Sequence, residues 1–166
     1  MDKRSEAVLA NVDSGLADKV RAAANQLATL GTYLLVVSGL RTAAEQNALY
    51  AQGRNGAPGH IVTNAKAGYS MYNYGLAVDV VPYLSGKSGQ LNWDSNTPQF
   101  RAMVVALEAQ GLVWGGEWKI FPDPDHFQMP GIPASPNGAM LADYGDGGQA
   151  SLRSIWSKAA AGTYAV

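Results

Sequence analysis

Apolar residues recur at helical spacing in two long segments of the chain. The first covers residues 16–30 and is followed by Gly31, which suits the left-handed conformation that often follows a helix. The second begins with Thr97 and Pro98, a capping residue followed by a proline in the first turn, and ends at Gly111. Two amphipathic helices are therefore predicted.

Two shorter helices are indicated by local signals. Thr42 and Glu45 have the spacing of a capping box, and the helix that they begin runs to Gly53. Residues 151–161, with the sequence SLRSIWSKAAA, predict a final helix. Between these two helices, residues 54–70 are rich in Gly, Asn and Lys and indicate a surface loop.

The remaining apolar runs are short and predict strands. Residues 32–39 form a β-rich run that Ser-Gly stops, which indicates a buried strand. Residues 75–83 alternate well enough for a second strand, with Pro82 at its limit. Short strands are also predicted at 112–116 and 126–129. Helices and strands mix without a regular βαβ rhythm, so the predicted class is α+β, with a small central antiparallel sheet and flanking helices.

Length, composition and charge exclude several classes of protein. A chain of 166 residues with 47% hydrophobic and 15% charged residues is predicted to form a single compact domain. Its net charge of −1 supplies no general attraction to nucleic acid or to an anionic membrane. No segment reaches the roughly 18 consecutive apolar residues of a spanning helix, so no stable membrane association is expected. We expect a monomer.

The composition also limits any metal site. Because the chain has no cysteine, a transition-metal site must be built from His, Asp, Glu or Tyr. Only two histidines are present, His60 and His126. His60 lies in the predicted loop and is interpreted as a surface histidine.

Polar side chains that could take part in catalysis or metal binding are concentrated in four segments. The segments are Ser38–Thr42, Ser70–Asp79, Trp114–Lys119 and Asp123–Gln128. Asp79 is notable because it lies within an apolar run, LAVDVV, and a buried carboxylate is costly without a partner. Asp79 is therefore predicted to meet a cation, a metal ion or several hydrogen-bond donors.

Taken together, these segments resemble the zinc peptidases that include D-alanyl-D-alanine carboxypeptidases and dipeptidases and bacteriophage L-alanyl-D-glutamate endopeptidases. Their first motif, S-x-H-x-x-G-x-A-x-D, is matched at four positions: Ser70, Gly75, Ala77 and Asp79. Asp123 and His126 match their second motif, D/E-x-x-H. SGLRT, EQNALYAQGR, IVTNAKAG and WGGEWK resemble the phage-lysin branch. The resemblance implies one peptidase domain over residues 1–166, with a motif-bearing core at 32–130 and a C-terminal helical extension at 131–166.

One position departs from the family pattern. The first histidine ligand of the family falls on Tyr72, while Asp79 follows seven residues later as the pattern requires. Three interpretations stay open. The first is a genuine metal site that contains tyrosine. The second is a weakened or inactivated variant of the family site, and the third is a site redirected towards a harder metal ion.

The resemblance implies a role for each residue of the site. Asp79 and His126 are ligands of Zn²⁺, with Tyr72 at the position of the missing histidine. Asp123 is the general base that takes a proton from the metal-activated water. Asp125 is nearer to His126 in the sequence, but the family spacing favours Asp123.

Four further residues are assigned to catalysis or substrate binding. Arg41 is expected to stabilise the oxyanion. Ser70 is assigned to substrate binding as a supporting hydrogen-bond group, with a purely structural role as the alternative. Gln46 and Trp118 are assigned to substrate binding, and the aromatic residues line the peptide groove or belong to the core: Trp114, Trp118, Tyr74 and Phe127.

The leading functional prediction is a peptidoglycan endopeptidase that cuts between L-alanine and D-glutamate of the stem peptide. The alternatives are a D-alanyl-D-alanine carboxypeptidase and a catalytically inactive cell-wall-binding variant. The N-terminal residues show no apolar stretch of signal-peptide length. We therefore expect synthesis in the host cytoplasm and action on the wall after release, as in phage lysis.

Overall fold

The computed structural model describes residues 1–145 and 148–165. Within them the chain forms two compact units, each built from two separate stretches of sequence: Met1–Gly39 with Ala77–Pro130, and Leu40–Leu76 with Gly131–Val166. The described residues contain six α-helices: α1 Lys3–Leu9, α2 Ser14–Thr29, α3 Ala43–Ala51, α4 Pro98–Ala109, α5 Gly138–Tyr144 and α6 Leu152–Ala160. The assignment of residues 1–166 to one peptidase domain stays a prediction.

The first unit contains an antiparallel sheet of four strands: β1 Leu34–Ser38, β2 Ala77–Pro82, β3 Val113–Trp114 and β4 His126–Gln128. Their order across the sheet is β1-β2-β4-β3, and every neighbouring pair is antiparallel. The predicted α+β class, with an antiparallel sheet and flanking helices, is confirmed.

Strand β2 is buried along its whole length. Its alternating pattern predicted a strand correctly, but the burial does not alternate. Helix α4 packs against β2, and β1 and β4 pair with its two edges, so β2 lies in the interior of the sheet. Asp79, in the middle of this strand, is 7% exposed. A carboxylate in such a position requires polar or cationic neighbours.

The long helices of the first unit follow their local sequence signals. Helix α2 begins where the Asp13 side chain accepts a hydrogen bond from the Leu16 amide at 3.0 Å, and its apolar face is buried. Helix α4 begins with Thr97 as cap and Pro98 in the first turn, as predicted. Helix α1 was not predicted. It is short, and it docks on β1 through Ser5, whose hydroxyl accepts from the buried Val36 amide at 3.0 Å.

The second unit contains α3, α5, α6 and a 3₁₀ turn at Met71–Tyr74. Helix α3 has the predicted capping box, and α6 confirms the predicted final helix; α5 and the 3₁₀ turn were not predicted. The Trp156 indole donates to the Tyr74 carbonyl at 2.7 Å, and the Tyr74 and Tyr144 rings lie 4.9 Å apart. The two C-terminal helices therefore brace this turn.

Across the described residues, no helix combines the length and the apolar character that crossing a membrane requires.

Candidate metal and active site

Strands β2 and β4 place Asp79 directly opposite His126. Residues directly opposite each other in an antiparallel pair project from the same face, with Cβ atoms about 4.5–5.5 Å apart. Both side chains are buried, Asp79 at 7% and His126 at 3% exposure. The ladder thus brings a carboxylate and an imidazole together in a site largely shielded from water.

Asp123 joins this pair from the turn that precedes β4. The His126 amide donates to the Asp123 carbonyl oxygen at 3.2 Å, which closes the turn. Asp123 Oδ2 lies 3.9 Å from His126 Nδ1. One potential ligand atom from each of Asp79, Asp123 and His126 lies within 4.8 Å of the other two. Carboxylate oxygens and imidazole nitrogens are donors that zinc accepts, so the donor set fits such an ion.

Gly115 makes room for this turn. A Cβ atom at this position would lie 2.9 Å from the Asp123 carbonyl oxygen and 3.0 Å from the His126 Cβ. The Asp123 amide also donates to the Gly115 carbonyl at 3.0 Å. Close packing of the two backbones therefore holds Asp123 beside His126, and a side chain at position 115 would push them apart.

Gln128 makes a second contact with the His126 ring. His126 Nε2 lies 3.1 Å from Gln128 Oε1, and Gln128 is only 1% exposed. Alternation along a strand puts the two side chains on one face. Gln128 and Gly115 lie in two of the four segments identified from the sequence, but neither was assigned a role there. The period-2 spacing in His-Phe-Gln was a signal that could have identified Gln128.

Asp125 lies close to the same cluster. Burial raises the pKa of its carboxyl group, and the charge of nearby Asp79 raises it further. Its carbonyl oxygen accepts from the Val80 amide at 2.9 Å, which ties the turn to β2. Asp123 and Asp125 therefore both lie near Asp79, and the choice of Asp123 as base stays a prediction.

The aromatic residues near the motifs separate into two groups. The Trp118 ring lies 4.7 Å from the His126 ring, inclined at 52°, and both Trp118 and Trp114 are half-buried. Tyr74 and Phe127 are fully buried and belong to the core of their respective units. Trp118 thus packs on the imidazole, and its role in substrate binding stays a prediction.

Arg41 and Tyr72 contact each other in the second unit. The Arg41 guanidinium carbon lies 3.7 Å from the centroid of the Tyr72 ring. The Arg41 amide donates to the Tyr72 carbonyl at 2.9 Å, and the Asn73 side chain donates to the Arg41 carbonyl at 3.0 Å. Tyr72 is buried at 7% exposure, so its ring forms a surface on which the guanidinium rests.

Gln46 and Ser70 are both buried in the same unit. The Gln46 amide donates to the Ala65 carbonyl at 2.8 Å, and its oxygen lies 3.5 Å from Arg41 Nη1. Ser70 precedes the 3₁₀ turn, and its carbonyl accepts from the Asn73 amide at 3.0 Å. Their substrate-binding roles stay predictions, whereas their contacts hold Arg41 and the turn that carries Tyr72. His60 is exposed, as expected of a surface histidine.

Comparison with known proteins places these residues in a family context. The sequence profile of a family described as D-alanyl-D-alanine carboxypeptidase matches residues 63–129. Peptidoglycan L-alanyl-D-glutamate endopeptidase CwlK of Bacillus subtilis (strain 168) is 38% identical over 120 residues, which span 68% of this chain and 68% of that protein. The L-alanyl-D-glutamate peptidase of Listeria phage A118 is 27% identical over 126 residues, or 73% of this chain and 40% of that protein.

A solved structure is also similar. The L-Ala D-Glu endopeptidase ChiX of Serratia marcescens is 28% identical and superimposes with a TM-score of 0.56, covering 78% of this chain and 88% of that one. The segment matched by the family profile contains Tyr72, Asp79, Asp123 and His126.

Proposed function

Because this chain belongs to the D-alanyl-D-alanine carboxypeptidase family of peptidoglycan-cleaving metallopeptidases, we propose that it hydrolyses the bond between L-alanine and D-glutamate in the peptidoglycan stem peptide. The Bacillus subtilis and Listeria phage relatives and the Serratia marcescens structure carry this activity in their names. The observation that carries the proposal is the convergence of Asp79, Asp123 and His126 within 4.8 Å.

Zinc is the proposed metal, with Asp79 and His126 as ligands and Tyr72 at the third position that the motif spacing assigns. When bound, zinc lowers the pKa of a coordinated water towards about 7 and polarises the scissile carbonyl. The buried carboxylate and imidazole of the first unit support this assignment, because they are the donor types that zinc takes.

Asp123 is proposed to accept the proton of the attacking water and then to deliver it to the departing amine of D-glutamate. Support comes from its half-buried carboxylate, whose oxygen lies 3.9 Å from the His126 ring. Arg41 is proposed to stabilise the negative charge that develops on the carbonyl oxygen. Its stacking on Tyr72 and its contact with Gln46 restrict the guanidinium to few orientations, which favours such a role.

Ser70, Gln46 and Trp118 complete the proposed substrate-binding set. We further propose that the protein acts as a monomer on the cell wall after release from the host, as its similarity to a phage peptidase suggests. D-alanyl-D-alanine carboxypeptidase activity, the description of the matching family, is the second candidate.

Digestion of purified cell walls in the presence of zinc tests the proposed reaction. Mass spectrometry is expected to reveal new amino-terminal D-glutamate and carboxy-terminal L-alanine. Release of free D-alanine without those termini would establish the carboxypeptidase reaction instead. Binding to walls with no new termini would show a catalytically silent module and overturn the proposal.

An Asp123→Asn variant separates the base from the metal site. We expect cleavage to fall by about 10²–10⁴-fold, the usual contribution of a general base. Zinc content is expected to stay near that of the parent. Asp18→Asn, at an exposed carboxylate on α2, is the matched control and should retain full activity. Full activity of Asp123→Asn would assign the base to another residue, with Asp125 as the nearest alternative.

A further inference from the structure

The two nitrogens of the His126 ring face different neighbours. Nε2 lies 3.1 Å from Gln128 Oε1, whereas Nδ1 lies 3.9 Å from Asp123 Oδ2. His126 and Gln128 are 3% and 1% exposed, so bulk water does not compete for the contact between Nε2 and Gln128. A neutral imidazole has one N–H donor and one acceptor nitrogen, and only the acceptor can bind a metal ion. The neighbour of each nitrogen therefore decides which one is available.

We propose that Gln128 is a positioning residue that holds the proton of His126 on Nε2 and leaves the Nδ1 lone pair directed towards the Asp123 carboxylate and the metal site. With the Gln128 amide oxygen 3.1 Å from Nε2, that oxygen is the acceptor of the contact, and the matching tautomer is the one that donates from Nε2. Metal-binding histidines commonly donate their other N–H to such an acceptor, which fixes the tautomer and the ring orientation. This inference rests on the proposed function, since it describes how His126 is prepared for a metal ion.

The sheet explains why Gln128 can serve this purpose. It pairs with Ala77 of β2 on one side and with Val113 of β3 on the other, so its backbone is held from both directions. The His126 ring is also packed against the Trp118 ring, with centroids 4.7 Å apart. Rotation of the Gln128 amide by 180° would present its NH₂ group to Nε2 and would force the imidazole proton onto Nδ1. The amide orientation thus distinguishes a metal-binding His126 from one that cannot bind.

Nitrogen NMR of the metal-free protein tests the tautomer directly. The chain has only two histidines, and a His60→Gln variant assigns the second ring without disturbing the buried site. At a pH where imidazole is neutral, we expect His126 to show a protonated Nε2 and an unprotonated Nδ1. Protonation of Nδ1 in the parent would overturn the proposal.

Two substitutions then test the effect on the metal. Gln128→Met keeps the length of the side chain and removes the acceptor, so zinc affinity is expected to fall by about 10–100-fold, the usual effect of losing such a partner. Gln128→Glu retains an acceptor oxygen and is expected to bind zinc at least as tightly as the parent. Calorimetric titration measures both, and thermal unfolding checks that each variant is folded. Parent-like zinc affinity in folded Gln128→Met would contradict the proposal.

Failure of this inference is distinguishable from failure of the proposed function. The tautomer is determined without metal or substrate, while the function is judged by new termini in digested walls. If His126 Nε2 is protonated but the protein does not cleave walls, the inference about Gln128 stands and the proposed function is rejected. If Gln128→Met does not fold, the inference is tested by the His126 tautomer of the parent and by the zinc affinity of Gln128→Glu.

Discussion

Tyr72 lies beneath a guanidinium group in a buried position, with its ring centroid 3.7 Å from the Arg41 carbon. Such a cation–π contact contributes about 0.5–2 kcal/mol, more when it is shielded from water. The tyrosine therefore holds Arg41 in place at the position where the motif spacing predicts a metal-binding histidine. Phenol ionises with an ordinary pKa near 10, so it is a poorer zinc ligand at neutral pH than imidazole.

Tyr72→His is expected to raise both zinc affinity and wall-lytic activity. Phenol must lose a proton against a pKa about three units above neutrality, or roughly 4 kcal/mol, and zinc recovers part of this by stabilising phenolate. Calorimetric zinc titration and turbidity loss of a cell-wall suspension measure the two effects. Tyr72→Phe is the control, because it keeps the ring beneath Arg41 without a hydroxyl and should show no gain. Unchanged zinc affinity with equal or lower lysis in Tyr72→His would identify tyrosine as a working ligand.

Strand register determines the geometry of the cluster formed by Asp79, Asp123 and His126. Asp79 and His126 are opposite each other in the β2–β4 pair, and a slip of one residue would turn one of them to the other face of the sheet. Strand β4 has only three residues, so the neighbouring turn and the 3₁₀ segment at Gly115–Glu117 help to hold it. At Gly115 these two segments approach closely, because a Cβ atom there would lie 2.9 Å from the Asp123 carbonyl oxygen.

Gly115→Ala is expected to lower zinc affinity by about tenfold or more and to destabilise the fold by about 1–3 kcal/mol, as overpacking usually does. The added methyl group would collide with the Asp123 carbonyl and His126 Cβ, which moves two residues of the cluster apart. Zinc titration and thermal unfolding measure these changes. Gly138→Ala is the matched control, because a Cβ there meets nothing within 4 Å. Parent-like zinc binding in Gly115→Ala would show that the turn relaxes without affecting the site.

Each of the two units combines two stretches that are separate in the sequence. In the second unit, Asp143 of α5 accepts hydrogen bonds from the Lys158 ammonium of α6 and from the Tyr164 hydroxyl. These bonds, first that from Lys158 and then that from Tyr164, lower the pKa of the Asp143 carboxyl group. A lowered carboxyl pKa adds stability above the pKa of the unfolded chain, and this stability is lost as the pH falls through the folded-state pKa.

Asp143→Asn is therefore expected to lower the melting temperature at neutral pH, because it removes the charge that Lys158 and Tyr164 contact. The difference from the parent should begin to shrink as the pH falls below about 4, the ordinary pKa of an aspartate, and should vanish only below the lowered folded-state pKa, where the parent carboxyl is also neutral. Thermal unfolding followed by circular dichroism between neutral and acidic pH measures the trend. Asp94→Asn, at an exposed aspartate of the first unit, is the control. A difference that stays constant with pH would mean that the charge of Asp143 contributes nothing.

Local signals in the sequence predicted the elements whose start and course depend on nearby residues. Thr97 caps α4 by accepting from the Phe100 amide, and Thr42 and Glu45 cap α3 by reciprocal hydrogen bonds. Each interaction spans only three residues, so the starts of both helices can be predicted from the sequence. Motif spacing likewise identified Asp79, Asp123 and His126 as a possible site. Donor type and spacing are properties of the chain itself, and they carried the resemblance to the peptidase family.

Tertiary structure alone decided the features that depend on distant partners. Helix α1 is anchored through the contact of Ser5 with Val36, and the 3₁₀ turn at Met71–Tyr74 is braced by Trp156. Strand β2 is buried at every residue, in contact with α4 and paired with two strands, and the alternation within the strand does not specify these partners. Gln128 reaches His126, and Gly115 admits the Asp123 turn, only once the sheet has formed. Hydrophobic periodicity and capping act over one or two turns of chain, whereas the pairing of strands and the packing of side chains require segments that the sequence keeps apart.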